Sequence, residues 1–329
     1  MVTVTYDGVK VTVLEITVFK KEYIEDAIYL AQNNYEAERR FSPALPESVA
    51  IPSLAPFAEN SLGTAAFEKG KLVGFLCAVP PFPNCFGSTD ATGIFSPLGA
   101  NGAIEENHAE IYARMIEKAA QAWKEAGASN HAICFYAHDV EAQRQSFLYG
   151  YGLRCMDAIQ ILEKKAEPNI PGYKFRELTF AEFATILPLE HMLDKHMAAS
   201  PTFILRSSAT EKELLQKARE QGARYFLAET ENGAPAAYMR AAEHDGETFL
   251  CYQPGYIHID GAFCLPTHRG SGAAAGLLRF MANRFYREGF SRLGVDFESI
   301  NPTGHRFWRK HFQIYTHSVA RRIDEHVFL

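Results

Sequence analysis

The feature that most restricts this chain is a repeat of element order around one internal break. The break is EKKAEPNIPGYK, residues 163–174, a charged segment carrying Pro168, Pro171 and Gly172 between two apolar stretches. Such a cluster punctuates a chain and does not extend a core element. Before it, LEITVF alternates as a strand, EYIEDAIYLAQNNYEAERR reads as a helix, and GTAAFEKGKLVGFLCAV reads as a hairpin turning at Lys69-Gly70. ATGIFSPL is a further strand, and IYARMIEKAAQAW sets Ile111, Met115, Ala119, Ala122 and Trp123 on one helical face. HAICFYA, EAQRQSFLYG and MDAIQILEK close the half as strand, helix and strand. After the break the order returns. YKFREL is a strand, and a Thr179–Glu182 capping box opens the helix FAEFATILPLEHML. A hairpin turns at Asn232-Gly233. Strand IHIDGAFCL, helix GAAAGLLRFMANRFYREG, strand RLGVDFESI, helix PTGHRFWRKH and strand YTHSVARRI follow. Two copies of one β-α-β-β-β-α-β-α-β unit predict a mixed α/β chain with domains 1–163 and 173–329 and a linker at 164–172, each domain a mostly antiparallel sheet flanked by helices. A length of 329 residues also favours two cores over one.

Composition narrows the function classes. Hydrophobic residues at 47% and charged residues at 22% are globular values. A net charge of -6 argues against a nucleic-acid partner and leaves room for a cationic acceptor. The six cysteines form no C-x-x-C pair, and Cys77, Cys134 and Cys264 lie in apolar runs. They read as reduced core residues of a cytoplasmic protein. No signal peptide opens the chain, and no run reaches the ~18 apolar residues of a membrane helix, so no membrane partner and no metal are expected.

The stretch CLPTHRGSGAAAGLLRFM, residues 264–281, carries the chemistry. An apolar strand ends at Pro266, then Arg269, Gly270, Ser271 and Gly272 lead into a helix with a small first turn, Ala273 to Ala275. A helix start offers unsatisfied N–H groups and a positive dipole end, and glycines let an anion approach the backbone. No Gly-Lys-Ser/Thr follows, which excludes a Walker loop, and no ribose-binding acid is set up for a dinucleotide.

CLPTHRGSGAA resembles motif A of the GNAT acyltransferase superfamily, with its R/Q-x-x-G-x-G/A pattern at Arg269, Gly272 and Ala274. VDFESINPTGHRFWRK is similar to the family's fifth strand and following helix, with Asn301 and Phe307 at its pantetheine-side positions. The resemblance covers residues 173–325 and extends more weakly over 14–163, as in a tandem GNAT protein. It implies acetyl-CoA as co-substrate, bound by Phe263, Cys264, Leu265, His268, Arg269, Gly270, Ser271, Gly272, Ala273, Ala274, Asn301 and Phe307. It implies N-acetyl transfer by direct amine attack, with backbone N–H groups near Phe263 to Leu265 polarising the thioester. The acceptor would be a small-molecule or peptide amine, and a homodimer stays open. A catalytically silent acyl-CoA-binding module and an aminoacyl transferase are the competing readings.

For the base, Glu298 and then Asp296 share one face of the fifth strand, while Val295 and Phe297 face the other way. The family's leaving-group tyrosine is replaced by Trp308, which supplies no proton, and Tyr315 is the nearest substitute in sequence. In the first half, FSPLGANGAIEENHAEIY places Pro97 opposite Pro266 and Ala100 opposite Arg269, with Glu105 and Glu106 near the helix start. Carboxylates there repel a pyrophosphate, so the first copy reads as degenerate.

Overall fold

The computed structural model describes residues 3–6, 9–12, 14–85, 90–205, 210–243 and 254–328. In chain order the first half forms β1 (Thr3–Tyr6), β2 (Val9–Thr12), β3 (Glu15–Val18), α1 (Ile24–Phe41), α2 (Ala55–Glu59), β4 (Thr64–Glu68), β5 (Lys71–Leu76), β6 (Gly93–Ser96), β7 (Asn101–Ala103), α3 (His108–Glu125), β8 (Asn130–Tyr136), α4 (Val140–Leu148) and β9 (Gly152–Ile161). The second forms β10 (Tyr173–Leu178), α5 (Leu187–Ala198), α6 (Glu211–Glu220), β11 (Arg224–Thr230), β12 (Pro235–Ala242), β13 (Tyr256–Cys264), α7 (Ala273–Arg287), β14 (Arg292–Glu298), α8 (Pro302–Trp308), β15 (Gln313–Ile314) and β16 (Thr316–Arg322). This is the mixed α/β class that the sequence predicts.

Packing divides the described residues into two units that differ from the linear halves. Unit 1 holds the chain up to Met156 and the segment from Ile314 onward, and unit 2 holds described residues from Asp157 to Gln313. Pairing explains the difference from the linear boundary at 164–172. β16 runs antiparallel to β8 from Thr316↔Tyr136 to Arg322↔Asn130, and to the first part of β9 through Ser318↔Cys155 and Ala320↔Gly152. Val319 of β16 is fully buried in the core built on α3. The last strand of the sequence is therefore a strand of unit 1.

Within unit 1, β3, β4, β5 and β7 form one antiparallel sheet, and β6, β8, β16 and β9 are consecutive in another. The helical face expected on α3 is largely its buried face: Ile111, Met115, Ala119 and Trp123 are enclosed, and Ala122 is half-buried at its margin. The Trp123 indole donates to the Leu62 carbonyl at 2.9 Å, so burial leaves no polar atom of that ring stranded. Lys69 and Gly70 both take positive φ in the β4–β5 turn, as a two-residue hairpin requires. Cys251 lies outside the described residues; Cys77, Cys85 and Cys134 are buried, and none forms a disulfide among the described residues.

Unit 2 is built on β10-β11-β12-β13, antiparallel throughout, with β14 parallel to β13 and the second part of β9 beside β14. One face carries α7, whose Phe285 ring meets Phe226 edge-on at 5.4 Å. Gly276 lets this helix close on β10, since a Cβ there would stand 2.4 Å from the Phe175 ring. The other face carries α5, which buries Leu189, Leu193 and Met197 against Tyr225, Leu227 and Tyr238. The Thr179–Glu182 capping box forms, yet it opens a 3-10 turn at Phe180–Thr185, and the α-helix begins only at Leu187. Pro188 lacks an N–H and clashes with a preceding helical turn, which ends that continuation.

Two irregularities of β13 set up the site. Ala241 faces Ile259 and Arg240 faces Gly261, so Asp260 is an extra residue that bends the strand. The bulge is pinned from β12. Arg240 Nε donates to Asp260 Oδ1 at 2.7 Å, its terminal NH2 donates to the Asp260 carbonyl at 2.9 Å, and Glu190 of α5 lies 3.5 Å from the other terminal nitrogen. A Cβ at position 261 would press on this guanidinium at 3.3 Å. The parallel ladder to β14 then ends at Ile259↔Val295, although β13 runs on to Cys264 and β14 to Glu298. The strands part at the bulge.

Arg240→Met should strand two carboxylates in a poorly hydrated place. Removing one member of a buried ion network costs about 3 kcal/mol. Urea unfolding should show that loss, whereas Arg176→Met, whose partners are more exposed, should lose less than about 1 kcal/mol.

Candidate functional site

The free end of β13 leads directly into the site. Leu265 N–H donates to Ala236 O at 2.9 Å, so it belongs to the edge facing β12. By strand alternation Phe263 N–H faces the same edge, and Cys264 N–H turns to the edge that β14 has left. Of the three amides expected to polarise a carbonyl, Cys264 is thus the one turned to open space. A tight turn follows at Pro266–His268, held by His268 N–H on Leu265 O at 2.9 Å and Ser271 Oγ on His268 O at 2.7 Å. Gly270 and Gly272 take φ of +82° and +93°, values that only glycine adopts without strain. Gly272 is the N-cap of α7 and brings no side chain, so the first-turn amides of Ala274 and Ala275 have no acceptor within the helix.

A cavity of about 510 Å³ opens at this helix start. Its walls include Arg269, Arg306 and Lys310 and, among the described residues, no aspartate or glutamate. Arg269 is anchored through Nε on Cys264 O at 3.2 Å and lies 5.6 Å over the Phe263 ring, which leaves the outer edge of the guanidinium for a ligand. Burial, with Lys310 and Lys165 nearby, holds the His311 imidazole below its ordinary range, so the positive charge of the wall comes from the three permanent cations. Across the cavity, Asn301 caps α8 by accepting from Gly304 N–H at 3.2 Å and from Thr303 Oγ at 2.8 Å. The wall is completed by Phe307 and Trp308, an edge-to-face pair at 4.8 Å.

Of the residues expected to hold a cofactor, Phe263, Cys264, His268, Arg269, Gly270, Gly272, Ala274, Asn301 and Phe307 line this cavity together. Leu265, Ser271 and Ala273 are in the same turn but are not among its lining residues. The three catalytic expectations are placed elsewhere. Glu298 ends β14, and Asp296 is bound by His258 Nε2 at 2.9 Å, that histidine being met in turn by the Tyr256 hydroxyl at 2.7 Å. Tyr315 is buried in unit 1, where its carbonyl accepts from Ala137 N–H at 2.9 Å. The cavity also brings in His196 of α5 and Arg306 and Lys310, none of which the sequence singles out.

The corresponding place in unit 1 is closed. Ile104 N–H donates to Val73 O at 2.9 Å, the counterpart of Leu265 on Ala236, so Ile104 and Leu265 are equivalent. The pairing of Pro97 with Pro266 and Ala100 with Arg269 is corrected accordingly. Residues 97–100 form a turn between β6 and β7, where Ala100 N–H meets Pro97 O at 3.0 Å. The glycine turn Pro266–Gly272 is matched only by Glu105–Asn107. At the start of α3, His108 donates through Nδ1 to Ile104 O at 2.7 Å and bonds Asp139 through Nε2 at 2.9 Å. Asp139 caps α4 through Ala142 N–H as Asn301 caps α8. Two helix starts that stand apart in unit 2 are therefore joined in unit 1.

A strand that splays at a bulge, a glycine turn and a cationic helix start meet at one cavity. Residues 190–312 match the Acetyltransferase (GNAT) family. Among solved structures, a GCN5-related N-acetyltransferase from Sphaerobacter thermophilus is similar over 94% of this chain and 95% of its own, at 13% identity and a TM-score of 0.52. A GNAT-family acetyltransferase from Colwellia psychrerythraea covers 94% and is covered over 100%, at 14% identity and 0.45. A tandem GNAT protein from the clavulanic acid biosynthesis pathway is similar over 94% and 98%, at 14% and 0.46. No curated protein matches the chain. Among the described residues no helix is long and apolar enough to cross a membrane, and no cluster of residues suits a metal ion.

His108 gives this comparison a pH signature. Burial lowers its pKa, but the hydrogen bond and charge of Asp139 and the Ile104 carbonyl more than offset that, and the net shift is upward. A group with a raised folded pKa stabilises fully below its unfolded value near 6.5 and loses that contribution as pH rises through the folded value. Stability measured by denaturant from pH 6 to 8 should fall more steeply in the native chain than in His108→Gln.

Proposed function

We propose that unit 2 transfers an acetyl group from acetyl-CoA to a primary amine of a small-molecule or peptide acceptor, by direct attack of the amine on the thioester. The observation that carries this reading is the cavity at the start of α7, where Arg269, Arg306 and Lys310 and, among the described residues, no carboxylate surround unengaged helix amides. A diphosphate is the group whose charge and acceptor oxygens such a wall complements. The Cys264 amide, turned to the space between β13 and β14, is suited to the oxygen of a thioester carbonyl. Unit 1, with His108 joined to Asp139, serves as a copy without a cofactor cleft. Buried cysteine thiols such as Cys77 and Cys85 support a reducing, cytoplasmic setting as part of the same proposal. One observation favours a second reading, binding without turnover: Trp308, not a tyrosine, stands at the family's usual acid position and is itself buried.

Coenzyme A at 100 times its Kd should raise the unfolding free energy by about 2.7 kcal/mol. Arg269→Ala should weaken the effect, and Gly272→Asp should remove it by placing a carboxylate and a Cβ at a +93° backbone. Calorimetry should give one coenzyme A per chain. Two sites per chain, or full binding by Gly272→Asp, would refute the assignment, and release of free thiol from acetyl-CoA with an amine screen separates transfer from silent binding.

A further inference from the structure

His196 is the titratable side chain that touches both walls of the cleft. It projects from α5 into the lining of the cavity. Its ring lies 6.0 Å from that of Phe263 at the free end of β13, and its Nε2 lies 3.3 Å from Asn301 Oδ1 and 3.2 Å from Thr303 Oγ at the start of α8. These contacts fix its tautomer. Asn301 Oδ1 already accepts from Gly304 N–H, so it is a carbonyl oxygen and only accepts. Thr303 Oγ directs its proton to Asn301 Oδ1 at 2.8 Å and has only lone pairs left for the ring. Both neighbours of Nε2 are therefore acceptors, and Nε2 must carry the hydrogen. In the neutral imidazole this leaves Nδ1 as a lone pair, with no partner among the described residues.

We propose, on the basis of the transferase reading above, that His196 Nδ1 is the base that takes the proton of the attacking amine. The amine nitrogen bonds to the thioester carbonyl carbon and becomes an ammonium. Its N–H proton passes to Nδ1, the C–S bond breaks, and the thiolate leaves and takes up that proton from His196 or from water. The other titratable and charged groups facing the cleft are Tyr238 and Cys264 on β12 and β13, His268 and Arg269 in the glycine turn, and Arg306, Lys310 and His311 on and after α8. Burial raises the Cys264 thiol, which stays protonated, and His268 Nδ1 is occupied by the Tyr173 hydroxyl at 2.7 Å. His311 follows α8 beside Lys310, away from Asn301 at that helix's start.

The test uses the full chain, acetyl-CoA and the best amine of the screen, with the pH profile of kcat as readout. His196→Gln should lower kcat by about 10²-fold, the lower end for loss of a general base, and abolish the acidic limb. Its coenzyme A Kd should change far less than kcat, because the wall of Arg269, Arg306 and Lys310 is left intact. Added imidazole should restore part of the rate to His196→Gly, which a purely structural histidine does not allow. Glu298→Gln should keep the acidic limb. A His196→Gln enzyme that keeps its limb and rate, or an acidic limb lost in Glu298→Gln instead, would overturn the assignment. Failure of the native chain to release thiol with any amine would instead sink the transferase reading itself.

Discussion

The site depends on where one ladder of backbone hydrogen bonds stops. β13 and β14 pair from Tyr256↔Arg292 to Ile259↔Val295 and no further. Continued pairing would engage the outward amides of β13 and leave no room beside the glycine turn. The stop coincides with the bulge at Asp260, and a bulged residue bends its strand and breaks the register of the next pair. Arg240 bonds both the side chain and the carbonyl of Asp260, which makes the bend a fixed feature of the sheet. The cleft thus follows in part from an ion network that fixes the β13 bulge and whose residues do not themselves line it.

Charge is arranged locally against the composition. The chain as a whole carries -6, yet the described lining of the cavity shows three cations and no carboxylate. The excess acid is used elsewhere in unit 2. Glu177 and Glu288 bind Arg224, Glu229 and Glu182 bind Arg176, and Asp260 and Glu190 bind Arg240. Those carboxylates are committed to arginines of the sheet, which keeps their field short-ranged by neutralisation and leaves the glycine turn positive.

Much of this was legible in the sequence because it is local. Helix faces, both hairpin turns and the strand–Pro–Arg–Gly–Ser–Gly–helix joint are set by residues adjacent in the chain, and they appear where the pattern puts them. α6 was missed although Thr210 and Glu213 form a capping box there, with Thr210 N–H on the carboxylate at 2.7 Å. The T-x-x-E signal was present in a segment with few apolar residues to support it. Contacts between distant segments were the illegible part. That β16 belongs with β8 needs pairing across more than half the chain, and that His196 meets Asn301 needs α5 and α8 in register. Pro97 resembles Pro266 in its local sequence, whereas the carbonyl that Ile104 reaches identifies Ile104 as the counterpart of Leu265.

That correspondence explains why the two helix starts behave so differently. At α7 the N-cap is glycine, the first residues are alanines, and the facing cap is the neutral Asn301, so negative charge must come from outside the protein. At α3 the facing cap is Asp139, a carboxylate already within reach of the helix start. A cation on the first residue of a helix is disfavoured by the dipole. His108 is held there because its two N–H groups meet the Asp139 carboxylate and the Ile104 carbonyl. Asp139 thus meets in unit 1 the demand for an anion that the start of α7 leaves open. One change of cap, from amide to carboxylate, together with a histidine in place of an alanine, turns a ligand cleft into an internal ion pair.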